Sequence, residues 1–468
     1  MSNNFFNITT LVFVLFVWSQ PKPNLVVIMT DDMGYEDVGF NGCKDIPTPN
    51  IDSIAFNGAN IINGYVSFPV CSPSRAGFIT GRYQDRFGYT TNPTIDPTND
   101  SAGLPLNQMT MAEMLKTRGY KSAIIGKWHL GTHPKFHPIN RGFDYFYGYL
   151  SGGHNYFTKD YTIEDLFYVD RPFRWYRTKL YENYSKLQVT DYKNEYLTDE
   201  LSSVAVDFIE KQANENQNFM LFLSYNAPHN PLQATEKYLK RFLNIKNKKR
   251  KTYAAMVSAV DDGVGIIIKA LRDKGIEENT IIVFLSDNGG AHNNSSSNYP
   301  LKGTKGSVYE GGLRVPFAIQ WKGVIPPNTI YENSISSLDI MATMADILKI
   351  KKNKKMPLDG VNIIPYLTGE KKGEPHKYLF WRKWEQGAMA VIRGNFKLLK
   401  NNKQSDFELY NLKIDISESN NLIGTKPNLE KDLKEKWNIW NKGLKDRYYP
   451  SLGNDNWWER VYKYENQD

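Results

Sequence analysis

Cysteine is almost absent, with only Cys43 and Cys71 among 468 residues. That excludes a scaffold stapled by disulfides, which a chain long enough to bury a large core does not need. A single Cys43–Cys71 bridge is the plain default for two cysteines in an exported protein. Long apolar runs are scarce as well. The stretch at residues 8–18 is too short to cross a bilayer and has the length of a signal-peptide core, with Val17 and Ser19 as small residues before a cut near Gln20. Residues 1–7 contain no Lys or Arg, so the basic start typical of such signals is missing. Residues 1–20 are nevertheless read as a signal peptide, giving an exported protein, periplasmic or secreted. No later segment reads as a membrane span, and no internal repeat is visible.

Acidic charge is in deficit: 58 Lys and Arg stand against 50 Asp and Glu, for a net charge of +8. The field favours anionic partners. Two basic runs, at 246–251 and 349–355, lie between periodic segments and read as solvated loops. Neither carries the interleaved aromatics or the motif of a nucleic-acid site, so no nucleic-acid partner is expected. A polyanionic polysaccharide suits the charge better.

Four continuous apolar runs, at 25–30, 121–125, 219–225 and 280–286, read as buried strands. Helical spacing precedes three of them: Met111, Met114 and Leu115; Val204, Phe208 and Ile209; and Met256, Val257, Val260, Val264, Ile267, Ile268 and Leu271. This alternation predicts an α/β fold, a large, mostly parallel sheet flanked by helices on both faces. Residues 21–370 are assigned to that catalytic domain. From 371 to 468 the texture changes. Short strand-like runs at 388–392 and 395–400 flank Arg393 and Gly394, and 430–444 has helical composition, so a smaller C-terminal antiparallel sheet with a helix is expected. The segment 145–196 is Tyr-rich and poorly periodic, and reads as an insertion near the site.

In parallel sheets, ligands bind beyond the carboxyl ends of the strands, and here each predicted strand ends in a polar cluster. Asp31 and Asp32 follow the first, Lys127 and His129 the second, His229 the third, Asp287 and Asn288 the fourth. Three carboxylates and an amide brought together favour a hard cation, Ca2+ or Mg2+, and give no reason for zinc. Helix capping and turn formation are the ordinary alternatives for Asp and Asn.

Cys71, Ser72, Pro73, Ser74 and Arg75, followed by Gly81 and Arg82, resemble the signature of the type I, formylglycine-dependent sulfatases of the alkaline phosphatase superfamily. The resemblance extends in order through Asp31 and Asp32, residues 126–131, residues 286–289, residues 305–312 and residues 408–412. It implies that a formylglycine-generating maturation enzyme oxidises Cys71 to formylglycine, with Pro73 and Arg75 in its recognition sequence. It therefore argues against a disulfide at Cys71 and leaves Cys43 a lone thiol. It also implies one Ca2+ held by Asp31, Asp32, Asp287, Asn288 and the modified residue 71, with Mg2+ the lesser alternative. On the same resemblance Arg75 would orient the nucleophile. Lys127 and His129 would lie beside it, with His129 the base for sulfate elimination. His229 and Lys305 would bind sulfate and assist the leaving group. Lys302, three residues from Lys305, is a second candidate for the sulfate, and His154 a candidate substrate contact. The implied substrate is a sulfated carbohydrate, with algal polysaccharides of ulvan, carrageenan or fucoidan type ahead of glycosaminoglycans, as in similar bacterial polysaccharide sulfatases.

The nearest rival is a phosphatase or phosphodiesterase of the same superfamily, with a Ser or Thr nucleophile and two zinc ions. Cys at 71 and Asn rather than His at 288 disfavour it. A formylglycine-dependent phosphonate or phosphate ester hydrolase is the closer alternative. A non-enzymatic polysaccharide-binding homologue is disfavoured, because every matched catalytic position carries a competent residue.

Overall fold

Every residue of the strand Asn24–Thr30 is buried, as a strand covered on both faces must be. The computed structural model, which describes residues 22–451 except 172 and 352, places it in the middle of a ten-stranded sheet. Residues 1–20, read above as a signal peptide, and the C-terminal residues 452–468 lie outside the described residues. Across the sheet the strands run Thr329–Tyr331, Ala59–Ile61, Phe317–Gln320, Thr280–Ser286, Asn24–Thr30, Phe219–Ser224, Lys121–Lys127, Tyr145–Tyr149, Tyr181–Glu182 and Ser185–Lys186. The five from Thr280–Ser286 to Tyr145–Tyr149 are mutually parallel. Antiparallel strands extend the sheet on both sides of them. The expected mixed, mostly parallel sheet is present.

Alternation of side chains divides the core in two. Leu25, Val27 and Met29 pack with Phe78, Met111 and Met341 on one face, while Val26 and Ile28 pack with Ile209, Val257 and Val264 on the other. The first face is covered by Cys71–Thr80, Met111–Lys116 and Asp339–Ile347, the second by Pro49–Phe56, Leu197–Asn214 and Lys248–Asp273. Register aligns the strand ends: Thr30 pairs Ser286, Met29 pairs Ser224, Ser224 pairs Gly126, and Lys127 pairs Tyr149. Whatever follows these residues converges on one edge.

The smaller sheet is antiparallel, in the order Leu379–Lys383, Ala388–Arg393, Phe396–Lys400, Glu408–Asn411. Leu433 of the helix Pro427–Lys442 packs on Met389, Val391, Leu398 and Leu409. Gly394 supplies the left-handed turn, φ 54°, between the central pair of strands.

Two expectations change. The segment at 145–196 begins with a genuine sheet strand, Tyr145–Tyr149. Its alternating tyrosines and glycine hid a pairing made by parallel neighbours rather than by an apolar run. The basic run at 246–251 is not a free loop. A helix starts at Lys248, capped by the Asn247 side chain on the Arg250 N–H, and Arg250 pairs with Asp37 and Asp45. Those two acids offset the unfavourable placement of cations at a helix N-terminus.

Lys397 ties the small sheet to the helix Glu310–Leu313, which leads into the strand Phe317–Gln320 of the large one. Its fully buried ammonium lies 2.8 Å from Glu310 and 2.9 Å from Glu418, and Glu418 accepts a bond from the Glu310 N–H. Lys397→Met is expected to destabilise the protein by about 3–5 kcal/mol, because two carboxylates lose a buried counter-charge. Denaturant unfolding of Lys397→Met and of Lys397→Met/Glu418→Gln checks this. The double variant should recover part of the loss, and an unchanged midpoint in the single variant would contradict the reading.

Candidate active site

Cys71 opens the helix Cys71–Thr80, in which every residue is buried. The N-cap, Val70, is extended and has no capping side chain, and Pro73 has no N–H to satisfy. Asn92 accepts from the Ser72 N–H at 3.2 Å, a partner the sequence did not reveal. The helix N-terminus, with its partial positive charge, therefore faces the strand ends.

There it meets the carboxylates. Ligand atoms of Asp31, Asp32, Cys71 and Asp287 all lie within 4.8 Å of one another, and all four residues are buried. Cys71 Sγ is 3.4 Å from Asp31 Oδ1, 3.9 Å from Asp32 Oδ1 and 3.0 Å from Lys305 Nζ. Asn288 joins them, donating from Nδ2 to Asp32 Oδ1 at 2.7 Å, while its Oδ1 is buried with no hydrogen-bond partner. Asp32 holds a left-handed backbone, φ 64°, the kind of local strain that clusters at functional sites.

Three cations of the chain are paired with the three acids. Lys127 contacts Asp31 at 2.6 Å, Arg75 contacts Asp287 at 2.8 Å and Lys305 contacts Asp32 at 2.7 Å. Lys127 and Arg75 are sealed in, whereas Lys305 is 21% and His229 15% exposed, so these two mark the open side. His229 Nε2 stands 3.7 Å from Asp32 Oδ2 while its Nδ1 bonds to the Asn230 carbonyl. Burial works to raise Asp31, yet Lys127, His229, Arg75 and Lys305 together hold its carboxyl well below the usual range. Burial and then the charge of Asp31 push Asp287 up to about 6. Burial and then Asp287 push the Cys71 thiol far up, which makes the unmodified thiol a poor nucleophile.

His129 is fully buried on a left-handed backbone, φ 58°, and neither ring nitrogen has a hydrogen-bond partner. Burial, reinforced by the charges of Lys127 and Arg75, holds its pKa far below the usual histidine range, so the ring is neutral. Arg75 is further held by Ser224, whose hydroxyl also donates to the Lys127 carbonyl at 2.7 Å. Ser224 ends a strand, the one signal that would have singled it out.

Two sequence candidates lie outside this cluster. Lys302 Nζ turns to the Glu418 carbonyl at 3.2 Å and sits 4.1 Å from the centre of the Tyr309 ring, facing the small sheet. Of the two lysines, Lys305 is therefore the one at the cluster. The His154 ring is buried between Tyr149 and Tyr161. Its nitrogens face the carbonyls of Thr178 at 2.8 Å and Asn155 at 3.1 Å, so the ring braces a loop. Both cysteines are free, and Cys43 donates to Asp45.

The donor set fits a hard divalent cation: carboxylates gathered within a few ångströms and an amide oxygen with no partner of its own. With its acids and bases matched three to three, the bare cluster is neutral. A divalent ion would turn it into a site of positive charge suited to an anionic ester.

Comparison with known proteins agrees with this chemistry. The sulfatase family model matches residues 23–350, and a model described as N-sulphoglucosamine sulphohydrolase, C-terminal, matches residues 304–442. An uncharacterized sulfatase, YdeN, of Escherichia coli (strain K12) is 32% identical over 77% of this chain and 68% of its own. N-acetylgalactosamine-6-sulfatase of Mus musculus is 33% identical over 80% of this chain and 71% of its own. Among solved structures, Ps i-CgsB in complex with k-i-k-neocarrahexaose superposes with a TM-score of 0.85 at 35% identity, covering 96% of this chain and 98% of that one. A sheet of this topology, carrying this signature at its strand ends and matched over most of its length, identifies the chain as a member of the sulfatase family and a sulfuric ester hydrolase.

Proposed function

We propose that the protein is an exported enzyme that removes sulfate from a sulfated polysaccharide or its oligosaccharides, through a formylglycine made from Cys71 and one bound Ca2+. Carrageenan-type glycans stand first, ahead of ulvan and fucoidan. What carries the reading is the convergence of Cys71 with Asp31, Asp32, Asp287 and Asn288 under two partly open groups, Lys305 and His229. The glycan class is supported by likeness over nearly the whole chain to a protein held with a neocarrahexaose.

Asp31, Asp32, Asp287 and Asn288 would hold the cation beside residue 71, where it and the hydrated aldehyde would supply a nucleophilic oxygen at neutral pH. The chain's own groups do the rest. Lys305 Nζ and His229 Nε2 meet the sulfate oxygens from the open side, where charge builds in the transition state. With its Nδ1–H held by the Asn230 carbonyl, His229 donates to the departing alcohol only as the imidazolium, giving up the proton on Nε2. Arg75 fixes Asp287, and Lys127 fixes Asp31. His129, neutral and with both nitrogens free, takes the proton from residue 71 when sulfate is eliminated.

The test is sulfate release from defined carrageenan oligosaccharides and from an aryl sulfate, beside phosphate release from the matched aryl phosphate. Glycan desulfation with sulfate preferred over phosphate is expected. Release from aryl sulfate alone would defeat the glycan assignment, faster phosphate release would favour the phosphate ester hydrolase, and desulfation of glycosaminoglycans only would move the substrate class there.

A further inference from the structure

Gly152 and Gly153 stand where no side chain fits. A Cβ on Gly152 would lie 2.6 Å from His129 Nε2, and one on Gly153 would lie 2.8 Å from Cε1, Cζ and Oη of Tyr176. Two adjacent glycines thus seat two rings, one from the catalytic cluster and one from the Tyr-rich segment. Tyr176 sits in the turn Arg174–Arg177, and its carbonyl accepts from the Asn155 N–H at 3.0 Å. Its ring packs edge-on against Trp175 and Phe173, at 6.1 Å from each.

The ring is held, but the hydroxyl is not used. It makes no hydrogen bond to any described residue. Because Gly152 lies against His129 and the next residue, Gly153, lies against the Tyr176 ring and hydroxyl, the phenol sits beside the cluster's histidine. Burial and then Asp31 raise its pKa, which keeps the phenol protonated and able to donate. Beside it, Phe173 keeps a left-handed backbone, φ 65°, with its ring 68% exposed. A bulky residue rarely adopts that conformation, and beyond its contacts with Trp175 and Tyr176 the residue lies open to solvent.

We propose that Tyr176 and Phe173 set specificity for the glycan: the Tyr176 hydroxyl donates a hydrogen bond to the sugar unit bearing the sulfate ester, and the Phe173 ring stacks on the adjoining unit. An aromatic face with one polar handle suits a sugar, which has apolar C–H patches rimmed by hydroxyls. The inference rests on the sulfated-glycan reading above.

The experiment compares wild type, Tyr176→Phe and Phe173→Ala on a carrageenan hexasaccharide and on 4-methylumbelliferyl sulfate. The ratio of kcat/KM between glycan and aryl ester should fall about 3- to 10-fold in each variant, the worth of one hydrogen bond or one aromatic contact. The loss should appear in KM for the glycan rather than in kcat. An unchanged ratio in both variants, with a wild type that desulfates the hexasaccharide, would overturn this inference alone. An equal fall on both substrates would overturn it too, since the residues would then serve the chemistry or the fold. A wild type that cleaves only the aryl ester would overturn the glycan reading and this inference together.

Discussion

Cys71→Ala is expected to abolish sulfate release while leaving the fold in place. The Sγ atom contacts only site groups, at 3.4 Å from Asp31 and 3.0 Å from Lys305, and no backbone bond depends on it. Alanine suits the first position of a helix, and the lost sulfur leaves a space no larger than a methyl group. The stability change should therefore stay within about 1 kcal/mol. Loss of a nucleophile has a different scale, because the neighbouring charges then act on nothing: turnover should fall by about 10^4-fold or more. Sulfate release and thermal unfolding measured on the same preparation check both halves. Native-like melting with near-normal turnover would refute the nucleophile. The intact mass of the peptide spanning residue 71 gives an independent reading, since active wild type should carry the aldehyde.

The carboxylates were legible in the sequence for a physical reason. A strand covered on both faces is apolar throughout, so a pair such as Asp31 and Asp32 directly after it stands out, and parallel register must carry such pairs to one edge. Lys127, His129, Asp287 and His229 were readable by the same logic. Lys302 and Lys305 were not separable. They lie in a segment that is neither helix nor strand, where Gly303 and Gly306 both take positive φ, 84° and 86°. Without a period, three residues of spacing say nothing about direction. The setting of His154 was not readable, because its partners are backbone carbonyls, 24 residues away in the case of Thr178. Tyr176 was hidden in a segment of short turns, and the packing of Gly153 against its ring is not readable from the sequence. The strand Phe317–Gln320 was also missed, being only four residues long.

Asp287→Ala is expected to remove cation binding and activity together. Asp287 is buried, takes Arg75 at 2.8 Å and lies 3.4 Å from the Asp32 N–H, so it supplies charge to the proposed cation while fixing the strained turn at Asp32. Substitution leaves Arg75 without its acid and the donor set without one of three carboxylates. Changes to groups that merely support metal ligands cost about 10- to 100-fold, so loss of a ligand should exceed about 100-fold in activity. Ligand linkage separates this from simple damage. Added Ca2+ should raise the melting temperature of wild type, since a bound ion stabilises the folded state, and should not raise that of the variant. Asp287→Asn gives the finer test: it keeps the shape and an acceptor oxygen for Arg75 but not the charge. If the site is a cation site, Asn at 287 should restore stability better than it restores the response to Ca2+. If Asp287 serves only to anchor Arg75, Asn should restore both equally.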